Sequence, residues 1–460
     1  MEPDMSKGNE PTRTALEQAF DKALSPFQTF IEDQKTSSIL LIVATLMALA
    51  IANSDWFDNY RDLLGMHLGI LLGNERFAMS LGHWINDGLM ALFFFVLGIE
   101  IKRELLAGEL RELKQVAPIL AAAVGGMLLP ALIYYAINTG SPTVVGWGIP
   151  MATDTAFAIG LLVLLGERVP KSAFAFLTAL AIIDDIGAIL VIAFFYSEEI
   201  NPTLLVLAAV MLAGLALCNV LGIRRPSAYL IGGVAIWVAM LGSGVHATLA
   251  GILVAATIPA RPRQDTSWFL ERAKTLLQRF ETIEDRKQQA TPILEEEEQH
   301  AVAEDVIDAA GEATTPLRRW EQALRDPVAL LVMPIFAFAN AGIGLDEISV
   351  SEMLTEPLAI GILLGMVVGK GIGIPLFAWV AIRCKIGQLP AGLSLRHVVG
   401  LGLLGGIGFT MAIFISSLGF GQQPETLVMA KASILLGSTL AGVLGYLWLL
   451  QCNKGSSTDY

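Results

Sequence analysis

The apolar residues of this chain do not recur at every second or every third to fourth position; they run on, almost free of charge, over long stretches. An element half-buried in a water-soluble core is apolar on one face only, with a period of 2 or 3.6. A helix in lipid is apolar over the length needed to cross the bilayer. Twelve stretches read as membrane spans: 38–53, 84–101, 116–137, 144–164, 172–195, 202–221, 227–242, 245–260, 327–343, 357–381, 396–418 and 427–450. Pro226 to Ala260 is almost continuously apolar. As one straight helix it would be about 50 Å long, far beyond a hydrocarbon core of about 30 Å. Gly242-Ser243-Gly244 offers the break that divides it into the seventh and eighth spans.

Charge orients this array. The even-numbered connections carry Lys102, Arg103, Arg111 and Lys114; Arg168 and Lys171; Arg224 and Arg225; Arg261, Arg263, Arg318, Arg319 and Arg325; and Arg383, Lys385 and Arg396. The odd-numbered ones carry only Arg61 and Arg76. Lys and Arg near span ends mark the cytoplasmic side, which places both termini there. Fusing the seventh and eighth spans would invert everything downstream and put the basic flanks of the following linker outside. The chain then divides into a cytoplasmic segment (1–36), eight spans (37–260), an acidic cytoplasmic linker (261–326), four spans (327–450) and a tail (451–460). Within 54–80, two short apolar runs around Gly73-Asn74 read as a periplasmic β-hairpin, whose exposed edge could pair with a second copy. The linker holds one amphipathic pattern around Trp268, Leu276, Leu277 and Phe280, followed by the run Glu295-Glu296-Glu297-Glu298, which reads as solvated and flexible.

Composition agrees with a membrane protein: 54% of the 460 residues are apolar and 16% charged, against about 25% charged in soluble domains. Much of the acid behind the net charge of −13 lies in the linker, and no basic patch suited to nucleic acid is present. Cys218, Cys384 and Cys452 are too few and too scattered for a disulfide framework or a metal cluster. The first apolar run begins near Ser38, too far from Met1 for a cleavable signal. No cofactor motif is found, and no Walker sequence for ATP.

Against this background Asp184-Asp185, in the middle of the fifth span, is the most informative feature. Each carboxylate in mid-membrane costs about 3 kcal/mol even on lenient insertion scales, so intramembrane acids mark ion paths. Neighbouring helical residues project about 100° apart, so one acid can line a wet cavity while the other meets a partner. The natural cation is Lys370, between Gly369 and Gly371 in the tenth span. A lysine buried there needs a counter-charge, and the flanking glycines admit a second backbone. The fourth span contains Pro150-Met151-Ala152-Thr153-Asp154-Thr155, the eleventh Gly405-Gly406-Ile407-Gly408-Phe409-Thr410. Both weaken a helix midway, as in transporters whose broken helices hold ions with freed backbone groups and half-helix dipoles. Asp154 at such a break would offset positive helix ends. Spans three to five and ten to twelve are matching trios with an interrupted middle member, related by an odd shift that inverts topology. The expected fold is thus an all-α polytopic membrane protein of about twelve helices, with inverted-topology repeats, two interrupted helices and a small periplasmic hairpin. His246, where the eighth span begins, reads more readily as a satisfied structural group. Asp87, Glu100 and Glu104 sit at the ends of span two, where they can face water.

Six segments together resemble the NhaA sodium/proton antiporter family: Asn86-Asp87-Gly88-Leu89-Met90 with Lys102-Arg103-Glu104-Leu105; Ala152-Thr153-Asp154-Thr155-Ala156-Phe157-Ala158; Ile183-Asp184-Asp185; Gly244-Val245-His246-Ala247-Thr248; Phe336 to Gly342; and Gly406 to Met411. The resemblance covers nearly the whole chain and departs from the family in the length and acidity of the linker. It implies sodium or lithium exchanged electrogenically for protons across a bacterial inner membrane, serving sodium and pH homeostasis, by a homodimer joined partly through the hairpin. It makes Asp185 the main ion site, with Asp184 beside it paired to Lys370. Thr153, Asp154 and Gly408 then support the helix crossing, and Glu100, Arg103, Glu104, Glu321 and His246 become candidates for pH regulation. Family relatives would carry a histidine close to Glu321, whereas this chain reads Trp320-Glu321-Gln322-Ala323-Leu324-Arg325-Asp326. Two rivals remain at this stage. An ion channel would have no coupling, and interrupted helices with single-copy acids speak against it. An intramembrane aspartyl protease would need acids on separate helices, such as Asp154 with Asp185, converging on a substrate gate.

Overall fold

A computed structural model describes residues 34–72, 75–108, 113–197, 200–285, 297–344 and 350–452. The N-terminal segment up to residue 33, the Gly73-Asn74 turn, Glu295 and Glu296 of the acidic run and the tail beyond 452 lie outside the described residues. The protein is mostly helical. In chain order come α1 (Gln34–Ala52), α2 (Phe57–Gly65), β1 (His67–Leu72), β2 (Glu75–Ser80), α3 (Leu81–Ala107) and α4 (Leu113–Asn138). A 3-10 helix (Pro142–Met151) leads into α5 (Thr155–Leu165), followed by α6 (Lys171–Phe195), α7 (Pro202–Val220), α8 (Pro226–Leu241) and α9 (Leu249–Thr257). The linker forms α10 (Thr266–Asp285) and α11 (Glu297–Ala313). The remainder is α12 (Pro316–Ala341), α13 (Pro357–Arg383), α14 (Leu395–Gly405), α15 (Phe409–Phe420) and α16 (Pro424–Cys452).

Seven of these, α3, α4, α6, α7, α12, α13 and α16, are long and apolar enough to cross a bilayer. Three further pairs pass the same test but bend: α1 with α2 by 114°, the 3-10 helix with α5 by 41°, and α14 with α15 by 46°. The last two bends fall at the two expected interruptions. The first turns α2 away from the end of α1. α9 covers only nine of the residues expected in the eighth span, about 13 Å of helix, too short to cross a hydrocarbon core alone. The carbonyls at its C-terminal end are met by Lys102, whose Nζ donates to Ala256 O at 2.6 Å and Ile258 O at 2.5 Å.

Local chemistry starts these helices. Proline stands at the first turn of α7, α8, α12, α13 and α16, where its missing N–H costs no intrahelical bond and its fixed φ suits the helix. Asn201 caps α7 by accepting from Thr203 N and Leu204 N; Thr315 caps α12 by accepting from Arg318 N. Packing then sorts the spans. Two-thirds (67%) of the apolar window of α6 is buried, against 11% for α7; α6, which carries Asp184 and Asp185, runs through the centre, while α7 lies at the edge. α4 and α13 approach closely enough that a Cβ on Gly125 or Gly373 would strike the other's carbonyl oxygen, the close contact that small residues permit between membrane helices.

β1 and β2 pair antiparallel, with His67 opposite Ser80 and Leu72 opposite Glu75. In the linker, the sequence pattern anticipated one amphipathic helix and a flexible acidic run. Instead α10 and α11 pack on one another around Leu276, Ile283, Val302 and Ala309, and Glu297 and Glu298 open α11, where negative charge faces the positive helix end. Asp265 holds the start of α10. Its carboxylate accepts from Trp268 N at 2.8 Å and Ser267 Oγ at 3.0 Å, and these bonds, the Trp268 N–H first, hold its pKa below the usual carboxylate range.

Candidate functional site

Where the 3-10 helix gives way to α5, residues 152–154 leave helical geometry. Where α14 gives way to α15, residues 406–408 do the same. The two breaks cross. Asp154 N donates to Ile407 O at 2.5 Å, and a Cβ on Gly408 would lie 2.6 Å from Ala152 O. No side chain larger than hydrogen fits at 408 unless the crossing opens, which gives Gly408 a physical reason for its place.

Asp154 holds both half-helices. Its Oδ1 accepts from Phe157 N at 3.2 Å, capping α5. Its Oδ2 accepts from Thr410 N at 3.1 Å and Thr410 Oγ1 at 2.6 Å, at the start of α15. One buried carboxylate therefore meets two helix N-termini, whose partial positive charges compensate it.

Asp184 and Asp185 part as adjacent helical residues must. Asp184 Oδ2 accepts from Lys370 Nζ at 2.5 Å and from Thr153 Oγ1 at 2.7 Å, and Lys370 Nζ also donates to Thr153 Oγ1 at 2.9 Å. Gly405 O lies 2.8 Å from the same hydroxyl, which has one proton to give and so serves either acceptor. Lys370 follows directly on a π-helical turn, Gly365–Gly369, one of three such turns among the described residues, with Trp84–Leu89 in α3 and Val328–Val332 in α12. π-turns re-aim side chains and frequently sit at functional sites.

Asp185 is 3% exposed, and its Oδ1 is buried without a hydrogen-bond partner among the described residues. It lines a cavity of about 550 Å3 that also touches Glu100, Arg103, Thr153, Asp154, Thr178, Glu321, Arg325 and Thr410. Three of the pH candidates, Glu100, Arg103 and Glu321, line this cavity together with Asp185. Arg103 bonds Glu321 through Nη1 and Glu104 through Nη2, the latter at 2.6 Å, and Arg318 reaches Glu321 Oε2 at 3.4 Å. Glu100, Arg103, Glu104 and Glu321 thus form one neighbourhood. His246 stands apart from it: its Nε2 lies 2.6 Å from Tyr196 O, at the end of α6. Asp87 pairs with His83 at 2.9 Å near the start of α3.

The charge count explains what the core can do. Asp154, Asp184 and Asp185 face one ammonium, Lys370; Asp154 is answered by helix ends and Asp184 by the lysine. The charge left over is that of Asp185. A buried, unpaired carboxylate is costly, and a proton or a small hard cation relieves that cost by the same bond to the same oxygen. Among the described residues, no cluster of three His, Cys, Asp or Glu side chains suited to a resident metal occurs.

Sequence reasoning passed over Lys431 in α16. Its one hydrogen bond among the described residues runs 3.4 Å to Asn340 Oδ1. Asn340 in turn donates to Asn86 Oδ1 at 2.7 Å. The signal was available: Lys431 interrupts an apolar run just as Lys370 does.

Residues 28–449 match the family model described as Na+/H+ antiporter 1. The chain is 47% identical to a protein of Pseudoalteromonas atlantica named Na(+)/H(+) antiporter NhaA 1, over 94% of this chain and 91% of the relative. It is 47% identical to the Na(+)/H(+) antiporter NhaA of Oleidesulfovibrio alaskensis, over 97% and 98%. To that of Sulfurimonas denitrificans it is 44% identical, over 94% and 97%.

Proposed function

The chain belongs to the Na+/H+ antiporter 1 family and exchanges sodium ions for protons across a membrane, and on that premise we propose that the two ions compete for Asp185. The observation that carries this reading is the charge balance of the buried core, in which Asp185 alone lacks an answering group. Either a proton or a sodium ion neutralises it, so binding of one expels the other. Exchange follows if the loaded site turns between the two membrane faces and the bare, charged one does not. Asp184, locked to Lys370 and Thr153, fixes the geometry beside it and shares the cation. Asp154 and Gly408 hold the crossing around which the half-helices rearrange. The cavity from Asp185 to Glu100 and Glu321 is the cytoplasmic access route, and the charged cluster at its mouth sets the pH range of activity.

In this reading the protein resides in a bacterial inner membrane with both termini in the cytoplasm. Transport is electrogenic and serves sodium and pH homeostasis; spans three to five and ten to twelve act as inverted repeats. The paired strands β1 and β2 face the periplasm and join two protomers. Deleting Met66 to Met79 therefore weakens the dimer, read by size-exclusion chromatography with light scattering, and spares exchange, because every proposed ion ligand lies within one chain. A dimer unchanged by the deletion rules that interface out.

The decisive experiment follows luminal pH in proteoliposomes after a sodium pulse. Sodium drives proton movement with the native protein and none with Asp185→Asn; exchange by the purified variant at the native rate would remove Asp185 from the mechanism. The same assay rejects a channel, which moves sodium without protons. It equally rejects a protease, which moves neither.

A further inference from the structure

α14 opens with a capping box built on a histidine. Ser394 Oγ accepts from His397 N at 3.4 Å, while His397 Nδ1 accepts from Ser394 N at 3.2 Å and lies 2.7 Å from Ser394 Oγ. A backbone N–H can only donate, so Nδ1 carries no proton and the ring hydrogen is on Nε2. That Nε2 is buried and has no hydrogen-bond partner among the described residues. The usual residue at this position of a capping box is Glu or Gln, which accepts in the same way; only histidine loses its acceptor near neutral pH.

A second proton on the ring would set Nδ1–H against Ser394 N–H and place a cation at the positive end of a helix. Arg396 is on the same turn, and at this end of the helices packed on α14 stand Lys171 of α6, Arg168 beyond α5, Arg383 of α13 with Lys385 just after it, and Tyr446 and Cys452 of α16. None of them bonds or ion-pairs with the ring among the described residues. Among the described side chains named here the charged ones are all cationic, and the side chain of Glu167, beside Arg168, lies outside them.

The other end of α14 is the crossing itself. Gly405 O is the second acceptor of Thr153 Oγ1, and Ile407 O, two residues on, accepts from Asp154 N. The helix between is eleven residues long, pinned near its start by Trp448 Nε1 donating to Arg396 O at 2.9 Å.

We propose that His397 is a positioning residue and a pH-sensitive latch: the neutral ring caps α14 and holds Gly405 and Ile407 in place at the crossing, and protonation releases the cap and lowers the exchange rate on the acid side. This rests on the exchange mechanism proposed above, but the latch can be read without transport.

The test uses the full-length protein in nanodiscs and proteoliposomes, with His397→Gln, which keeps an untitratable acceptor at the same position, and His397→Ala, which removes it. Hydrogen exchange at the Ser394 and His397 amides, corrected for intrinsic pH dependence, should lose protection about fivefold between about pH 8 and about pH 5.5 in the native protein. His397→Gln should stay protected at both pH values, and His397→Ala should be unprotected at both. In proteoliposomes at saturating sodium, His397→Gln should keep the alkaline plateau while its acid limb moves to lower pH. Native protection that does not change with pH overturns the latch, whatever the transport data. An acid limb of His397→Gln that superimposes on the native one overturns its part in exchange. If the protection pattern appears in a protein that exchanges no sodium, the latch stands and the transport reading falls.

Discussion

One cavity connects two groups of charged residues that obey different physics. At the crossing, Asp154, Asp184 and Lys370 are 2% exposed or less, and their partners are fixed backbone groups, two threonine hydroxyls and one another. At the mouth, Glu321 is buried, but Arg103 and Arg318, which hold it, are 29% and 57% exposed. Arg103 divides itself between Glu321 and Glu104. A fully buried pair cannot be half-broken, because the group left behind has no water to turn to. A half-exposed network can exchange partners at a cost of about 1 kcal/mol or less. The crossing is therefore suited to holding an ion in one geometry, and the mouth to shifting with pH or salt without unfolding anything.

The sharpest break of this contrast is Asp185→Asn, the loss of the one core charge without an answering group. Sodium-driven proton movement should vanish while the folded protein remains in the membrane, measured by luminal pH and by size-exclusion behaviour. No variant at the mouth should do the same, and one that did would erase the distinction.

Next comes Lys370→Ala, which strands Asp184. Loss of one partner from a buried ion pair costs about 3–5 kcal/mol, so thermal stability should fall together with transport. Asp184→Asn in the same chain should restore much of that stability by removing the stranded charge. Damage that simply adds in the double variant would mean that the two residues do not act as a pair. Removing Arg318 from the mouth should change the melting temperature little, because a pair with one partner 57% exposed is screened by water.

Gly408→Ala probes the crossing without touching charge. Its Cβ would sit 2.6 Å from Ala152 O, forcing the two breaks apart and moving Asp154 off one of its two helix ends. Overpacking of this kind costs about 1–3 kcal/mol. Exchange should fall at every pH, with the shape of the pH profile preserved. A shifted midpoint with an intact maximal rate would instead assign the crossing a part in pH sensing.

The contrast also explains what could be read in the chain before its structure. Spans and the core acids were legible because an apolar run makes each charge conspicuous: Asp154, Asp184, Asp185 and Lys370 all announced themselves, and all meet at one place. The breaks at Ala152–Asp154 and Gly406–Gly408 were legible for the related reason that proline, glycine and polar residues weaken a helix locally. What escaped depends on three-dimensional partners. The 114° turn into α2 and the brevity of α9 follow from packing and capping by distant residues such as Lys102. The pairing of α10 with α11 hangs on a few apolar positions, Leu276, Ile283, Val302 and Ala309, diluted among charges. From the residues themselves, which way Asp184 and Asp185 each point could be stated only as a division between two faces, because the neighbour on each face comes from other spans; the pairing of Asp184 with Lys370 came from the family resemblance. His397 gave no signal as a lone histidine; its meaning lies in the bond back to Ser394.

The smallest effect is the most exacting test of the mouth. Glu321→Gln removes one negative charge from the cavity lined by Glu100 and Asp185 and frees Arg103 for Glu104. Removing a unit charge about 10 Å from a titrating group changes its proton affinity by about 0.8 kcal/mol at an effective dielectric near 40, or about half a pH unit. Less negative potential holds protons less tightly, so the activation midpoint should move to lower pH by about that amount, with the maximal rate unchanged. His246→Ala and His300→Ala should each leave the midpoint where it is: His246 bonds the Tyr196 carbonyl away from the cavity, and His300 lies on α11 beside Glu304. Competition at Asp185 also makes activity depend on pH, because protons and sodium exclude one another there. The two sources separate when the profile is measured at several sodium concentrations. Competition moves the midpoint with sodium, whereas the electrostatic contribution of Glu321 is a constant offset between variant and native curves at every sodium level. Curves that coincide at all sodium concentrations would leave the mouth with no part in setting the pH range, and the whole dependence would then belong to Asp185 and to the latch on α14.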